Sequence, residues 1–262
     1  MGDLQSDPSD AAGQFSRKTR PLTAMFAGAR FLLDLEDTRH FFTLTDAVDG
    51  PQHELNYQRY IASKVGSLLN AEEVNFAKVL SDRAYLEAFH PGSLASAYIG
   101  FLSAENLQLE LLMIAEQNAA VANLNLEPTR RRYMASGIAL HDLLHVLTRY
   151  GRDPVGEACL LAFTAEQLQL RGIAAIALAI ALREQARQPQ KPILKMLKEA
   201  KVLAREATWA PEVDWRIELA KTPDEARASV SIGCPELYLS SFGALEPVSK
   251  AVVSPSTEEL AA

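Results

Sequence analysis

Cysteine is nearly absent from this chain. Cys159 and Cys234 are the two in 262 residues, too few for a disulfide framework or a thiolate metal site, and a reducing compartment is expected. No run of eighteen or more apolar residues exists, so no spanning helix is expected. Basic excess is missing too. A net charge of −7 leaves no footprint for phosphate backbones, which excludes nucleic acid as a partner. The first twenty residues lack the apolar core of a secretory signal and the acid-poor, arginine-rich pattern of a mitochondrial presequence. There is no useful β alternation, no internal repeat and no glycine-rich phosphate loop.

What is present is helical pattern. Hydrophobic residues make up 48% of the chain, rich in alanine and leucine, while aromatics are only 7%, which favours helix over sheet. Residues 1–20 read as a disordered segment, 21–240 as a single multi-helix all-α domain, and 241–262 as a flexible tail. Within the domain, Asp49-Gly50-Pro51 reads as a turn closing a helix, and Asn70 as the N-cap of another that runs toward Phe89. His90-Pro91-Gly92 stops that helix and Ser93 caps the next, while a further pattern covers 104–123. Pro128-Thr129 opens a long helix that Gly151 can end in the left-handed conformation. Asp153-Pro154 then starts a helix expected to reach about Gln188, including the apolar run Gly172–Leu182. Gln188 to Pro192 breaks it.

Chemistry gathers at one place. His141 and His145 lie four residues apart, so on a helix they stack on one face, continuing the stripe of Met134 and Ile138. Asp142 falls on the flank of that face. Glu157 stands in the first turn of the following helix, and a short connection makes the two helices antiparallel neighbours. The expected result is a metal-binding helix–turn–helix at the centre of the domain, with His141, Asp142, His145 and Glu157 as ligands.

A duller reading is a hydrogen-bonded histidine pair at a helix interface. It leaves Asp142 and Glu157 as carboxylates beside a buried stripe, which is costly unless a cation neutralises them. Two imidazoles and two carboxylates suit Zn²⁺, with Mn²⁺ or Fe²⁺ also open. Arg130-Arg131-Arg132 reads as a solvated basic turn, the alternative being an anion clamp or a contact with acidic headgroups. Cys159, Trp209 and Trp215 read as packing residues.

The spacing H-D-x-x-H, eleven residues, then E resembles the signature of the fourth Coq protein family of ubiquinone (coenzyme Q) biosynthesis. Arg20-Pro-Leu-Thr, Pro91-Gly-Ser-Leu-Ala-Ser-Ala-Tyr98, Asp214-Trp215 and Pro223-Asp-Glu-Ala-Arg227 with Ile232 add to the likeness, over about residues 21–235. The resemblance implies a helical protein working peripherally at a membrane, with its four motif residues holding a divalent metal, usually zinc. It implies polyprenylated quinone precursors as partners and, as activity, oxidative removal of the C1 carboxylate of a 4-hydroxy-5-polyprenylbenzoate. Other quinone-synthesis proteins and a second copy of the chain are expected partners, at the cytoplasmic face of a bacterial membrane. One alternative is a non-catalytic scaffold for quinone-synthesis enzymes that binds prenyl lipid and has a structural metal. Another is a His-Asp-type phosphohydrolase, for which only His90 and Asp153 offer the extra ligands.

Overall fold

The computed structural model describes residues 38–105 and 126–243, with residues 19 and 107. The segment 1–20, the helix pattern at 104–123 and the tail beyond 243 lie almost wholly outside these. Among the described residues every element is helical. The first group runs α1 (Thr38–Ala62), α2 (Lys64–Ala71), α3 (Phe76–Ser81), α4 (Arg83–Glu87) and α5 (Leu94–Ala104). Then come the long α6 (Pro128–Thr148), α7 (Pro154–Leu168), α8 (Arg171–Arg187) and α9 (Ile193–Glu206). A 3₁₀ turn (Ala210–Glu212) precedes short α10 (Trp215–Glu218), α11 (Pro223–Ser229) and α12 (Glu236–Phe242).

α7 sits at the centre because it is apolar nearly all round. Val155, Ala158, Leu160, Ala162 and Phe163 are buried, and the helix packs mainly on α8 and α9. Burying a side chain the size of Phe163 contributes roughly 1.5–3 kcal/mol. Cys159 belongs to this core, as its sequence context suggested, and burial pushes its thiol up. α9 is amphipathic: Ile193, Met196, Leu197, Ala200 and Leu203 recur at helical spacing on the buried side. No described helix is long and apolar enough to cross a membrane.

Local punctuation decides most boundaries. Ser93 caps α5 by accepting from the Ser96 amide, and Gly92 adopts φ 90° just before it. Three expectations need correction. First, Pro51 does not end a helix, since α1 continues through it to Ala62. An interior proline costs about 3 kcal/mol, and tertiary bonds offset that. The buried Asp49 carboxylate accepts the Gly172 amide at 2.9 and 3.0 Å, and Asn56 donates to the Leu168 carbonyl at 2.7 Å. Second, Asn70 lies inside α2; Asn75 is the cap, accepting from the Lys78 amide. Third, the helix from Pro154 ends at Leu168, where Gln169 turns left-handed (φ 55°). The Gly172–Leu182 run therefore belongs to a separate helix. Its Ile173, Ile176, Ala177 and Ala181 are buried, and Leu178 and Leu182 are exposed.

One residue of the triple-arginine turn differs from expectation, while Arg131 is exposed and Arg132 partly so. Arg130 is buried, not solvated, and Glu54 of α1 holds it through two hydrogen bonds at 2.9 and 3.3 Å. The Tyr57 ring stacks beneath its guanidinium at 4.3 Å. This pair ties α1 to the first turn of α6.

Candidate metal centre

α6 and α7 meet through a five-residue connection. Arg149 takes the left-handed conformation that ends α6 (φ 62°), the role expected of Gly151. Gly151 is needed for a different reason. A Cβ there would stand 2.6 Å from the Tyr238 hydroxyl, and one on Gly156 would stand 2.1 Å from the Gly151 carbonyl oxygen. The connection folds this tightly because two glycines face each other across it. Asp153 then caps α7, accepting from the Val155 and Gly156 amides at 3.0 and 3.2 Å, with Pro154 at the first helical position.

This turn sets Glu157 against the two histidines. One ligand atom from each of His141, His145 and Glu157 can be chosen so that all lie within 4.8 Å of one another. Glu157 Oε2 is 3.3 Å from His141 Nε2, and Oε1 is 3.5 Å from His145 Nε2. The imidazoles stand edge to face, 4.9 Å between centroids. His145 is completely buried, whereas His141 and Glu157 keep 31% and 28% of their side chains exposed. The site is open on one side.

The orientation of His145 is informative. Its Nδ1 lies 2.9 Å from the Tyr150 carbonyl oxygen, which fixes the proton on that nitrogen. Nε2 is left with a lone pair, buried, and without a hydrogen-bond partner among the described residues. Burying an unsatisfied polar atom costs about 1–3 kcal/mol. A backbone carbonyl behind a bare, inward-facing nitrogen is the outer-shell arrangement that metal-ligating histidines use. Phe101 of α5 stacks on the same ring at 5.5 Å and 23°, fixing its plane.

Charge agrees with geometry. Burial alone would push the Glu157 carboxyl up, but the His141 hydrogen bond and the charge beside it outweigh burial and hold the carboxyl well below the usual range. The α7 N-terminus favours the same anion. Burial opposes protonation of His141, and the Glu157 carboxylate reverses this, leaving the imidazole raised. For Asp142, burial dominates and raises the carboxyl despite the neighbouring imidazoles. Two nitrogens and a carboxylate oxygen fit a zinc-type ion with an open coordination position.

Of the four residues expected as ligands, the structure brings His141, His145 and Glu157 together, while Asp142 stands outside that set. His90 and Asp153 do not join it. The His90 ring lies against the Pro91 and Ala220 carbonyls, and Asp153 caps α7. Arg152 was not foreseen. Its Nε lies 3.7 Å from Glu157 Oε1 and its Nη1 4.0 Å from Glu105, at the open rim. A lone arginine in a connection carries no spacing signal. Tyr98 is a second omission as a site residue: its hydroxyl is buried without a hydrogen-bond partner among the described residues, and burial followed by the nearby Asp142 charge pushes the phenol up.

Fold and site together define a helical protein with a histidine–carboxylate cluster suited to a divalent cation, borne on a helix–turn–helix. The chain belongs to the family of Coenzyme Q (ubiquinone) biosynthesis protein Coq4, whose model matches residues 16–236. That membership places it in ubiquinone biosynthesis. The fold is also similar to a crystal structure from Nostoc punctiforme of a protein named for ubiquinone biosynthesis. The TM-score is 0.59 at 14% identity, covering 82% of this chain and all of that one. No curated protein matches the chain.

Proposed function

We propose that this chain removes the C1 carboxylate of a polyprenylated 4-hydroxybenzoate during ubiquinone biosynthesis. The carboxylate leaves as CO₂ and a hydroxyl takes its place, its oxygen delivered by an external two-electron oxygen donor of the peroxide class whose other oxygen departs as water. One observation carries the reading: His145 has its Nδ1 committed to Tyr150 while its buried Nε2 faces Glu157 with no hydrogen-bond partner among the described residues. His141, His145 and Glu157 hold the cation, zinc being the best match to the donors. A cation so bound supplies Lewis-acid polarisation of a ring oxygen.

The remaining roles fall to side chains. Arg152, at the rim, meets the substrate carboxylate through its planar fork. Its own ion pairs, at 3.7 and 4.0 Å, are loose enough to exchange. The substrate's phenolate oxygen pushes electron density onto C1, which accepts the incoming oxygen, and loss of CO₂ restores aromaticity. Asp142, with its raised carboxyl, either completes the ligand set or carries a proton to or from the ring. The leucines exposed on α8, Leu178 and Leu182, offer apolar surface for the isoprenoid tail. Each CH₂ buried there contributes about 0.8 kcal/mol. Such a substrate implies work at a membrane surface beside other ubiquinone-biosynthesis proteins.

Release of labelled CO₂ from a C1-carboxyl-labelled substrate tests this. Glu157→Ala abolishes release while the far-UV circular dichroism is unchanged. Full turnover by metal-stripped protein contradicts it. A scaffold whose metal is only a structural clip would release no CO₂ and would lose thermal stability steeply on chelation.

A further inference from the structure

A second concave site lies at the opposite end of α6. It is a cavity of about 730 Å³ between the start of α6, the α2–α3 connection and α4. Lys78, Arg131, Arg132 and Arg216 line it against one acid, Glu73. Arg216 is already neutralised, by Asp214 at 2.7 Å and Glu72 at 2.8 Å. Lys78, Arg131 and Arg132 form no ion pair with any acid among the described residues. Arg131 spends one N–H on the Leu126 carbonyl at 3.2 Å and keeps the rest of its fork.

The backbone adds to this field. α6 has no acidic residue in its first turn, and Glu127 makes no capping hydrogen bond with its side chain. Arginines at the positive end of a helix dipole repel it, by about 0.3–1 kcal/mol each. Glu54 and Glu127 compensate Arg130, and among the described residues nothing comparable serves Arg131 and Arg132. Helix end and side chains both call for an anion from outside. Val74, Val79 and the half-exposed ring of Tyr85 form an apolar wall beside the cations. The volume exceeds what a lone phosphate would fill.

We infer that this cavity binds a phosphate ester, its phosphoryl oxygens held by Arg131, Arg132 and Lys78 and its organic part against Tyr85. Arginine forks match phosphate oxygens two at a time, which favours phosphate over a simple point charge. The site is separate from the candidate metal centre. Arg131 precedes His141 by ten residues on one helix, about 15 Å along its axis. The phosphate comes either from a soluble ester or from a phospholipid headgroup.

Calorimetric titration of the full-length, metal-loaded protein with phenyl phosphate tests the inference. One equivalent binds, and the double variant Arg131→Ala/Arg132→Ala weakens it at least about tenfold with the fold intact by circular dichroism. Lys78→Ala weakens it too. Glu157→Ala leaves it unchanged, which separates this site from the metal centre. Co-sedimentation with phosphatidylcholine vesicles, with and without phosphatidylglycerol, distinguishes the sources. Capture by the anionic vesicles that the double variant loses points to a headgroup, and binding of phenyl phosphate alone points to a soluble ester. Equal binding by wild type and double variant, loss in Glu157→Ala only, or no binding of either probe overturns the inference.

Discussion

Replacing Gly156 by alanine adds one carbon at the point where α6 and α7 are held together. The new Cβ would stand 2.1 Å from the Gly151 carbonyl oxygen and 2.8 Å from its carbon and nitrogen. An ordinary carbon–oxygen contact is roughly 3.3 Å, so the connection must open by about an ångström. The obstructing atoms are main chain and cannot rotate aside. Overpacking of this kind costs about 1–3 kcal/mol, and in a chain of this size each kcal/mol lowers the melting temperature by roughly 2–4 °C. Differential scanning fluorimetry should therefore show a fall of about 2–12 °C. Glu157 is the next residue and would move with the turn, away from His141 and His145. Zinc affinity, read by competition with a chelator, should drop about 10–100-fold, as when a supporting contact of a metal site is lost. A Gly156→Ala protein with unchanged melting temperature and zinc affinity would refute the tight-turn account of how the ligands converge.

Three further outcomes follow from other parts of the fold. Arg130→Ala removes the guanidinium that donates two hydrogen bonds to the buried Glu54 carboxylate, and should cost about 1.5–3 kcal/mol in urea unfolding; a loss under 1 kcal/mol would show the pair to be dispensable. Burial lowers the His53 imidazole to about 4. Because its folded value lies below its unfolded one, the stabilisation is complete above about pH 6.5 and is lost as pH falls toward 4. The partly exposed ring trims the effect to about 1–2 kcal/mol. Melting temperatures should fall more steeply over that range in the wild type than in His53→Gln, and parallel curves would sink the assignment. Arg152→Ala should raise KM for the benzoate about tenfold or more with zinc content unchanged, and an unaltered KM would remove Arg152 from the substrate's carboxylate.

The sequence revealed those features whose cause is local. Asp153-Pro154 and Ser93 are caps made by their own side chains to amides two or three residues on. His141 and His145 share a face by helical geometry alone, and a short connection brings Glu157 back to them. Where the cause lay far along the chain, local reading failed. Pro51 looked like a stop because nothing nearby shows that Asp49 will hold Gly172 or that Glu54 will hold Arg130. Gly151 looked like the left-handed terminator, yet its constraint is the approach of Gly156 and the Tyr238 hydroxyl. The break at Gln169 fell in a stretch whose helical pattern never lapses. Arg152, and the Phe101 ring stacked on His145, reach the site from a connection and a distant helix, so no motif could include them.

Metal stoichiometry is the direct test of the candidate centre. Protein purified, loaded with zinc, dialysed and analysed by inductively coupled plasma mass spectrometry should carry about one ion per chain. His145→Ala, whose lost ring contributes the bare buried nitrogen, should carry almost none while keeping its helical circular dichroism. A folded wild-type chain that retains no zinc, or a His145→Ala chain that retains the full equivalent, would contradict the proposed ligand set.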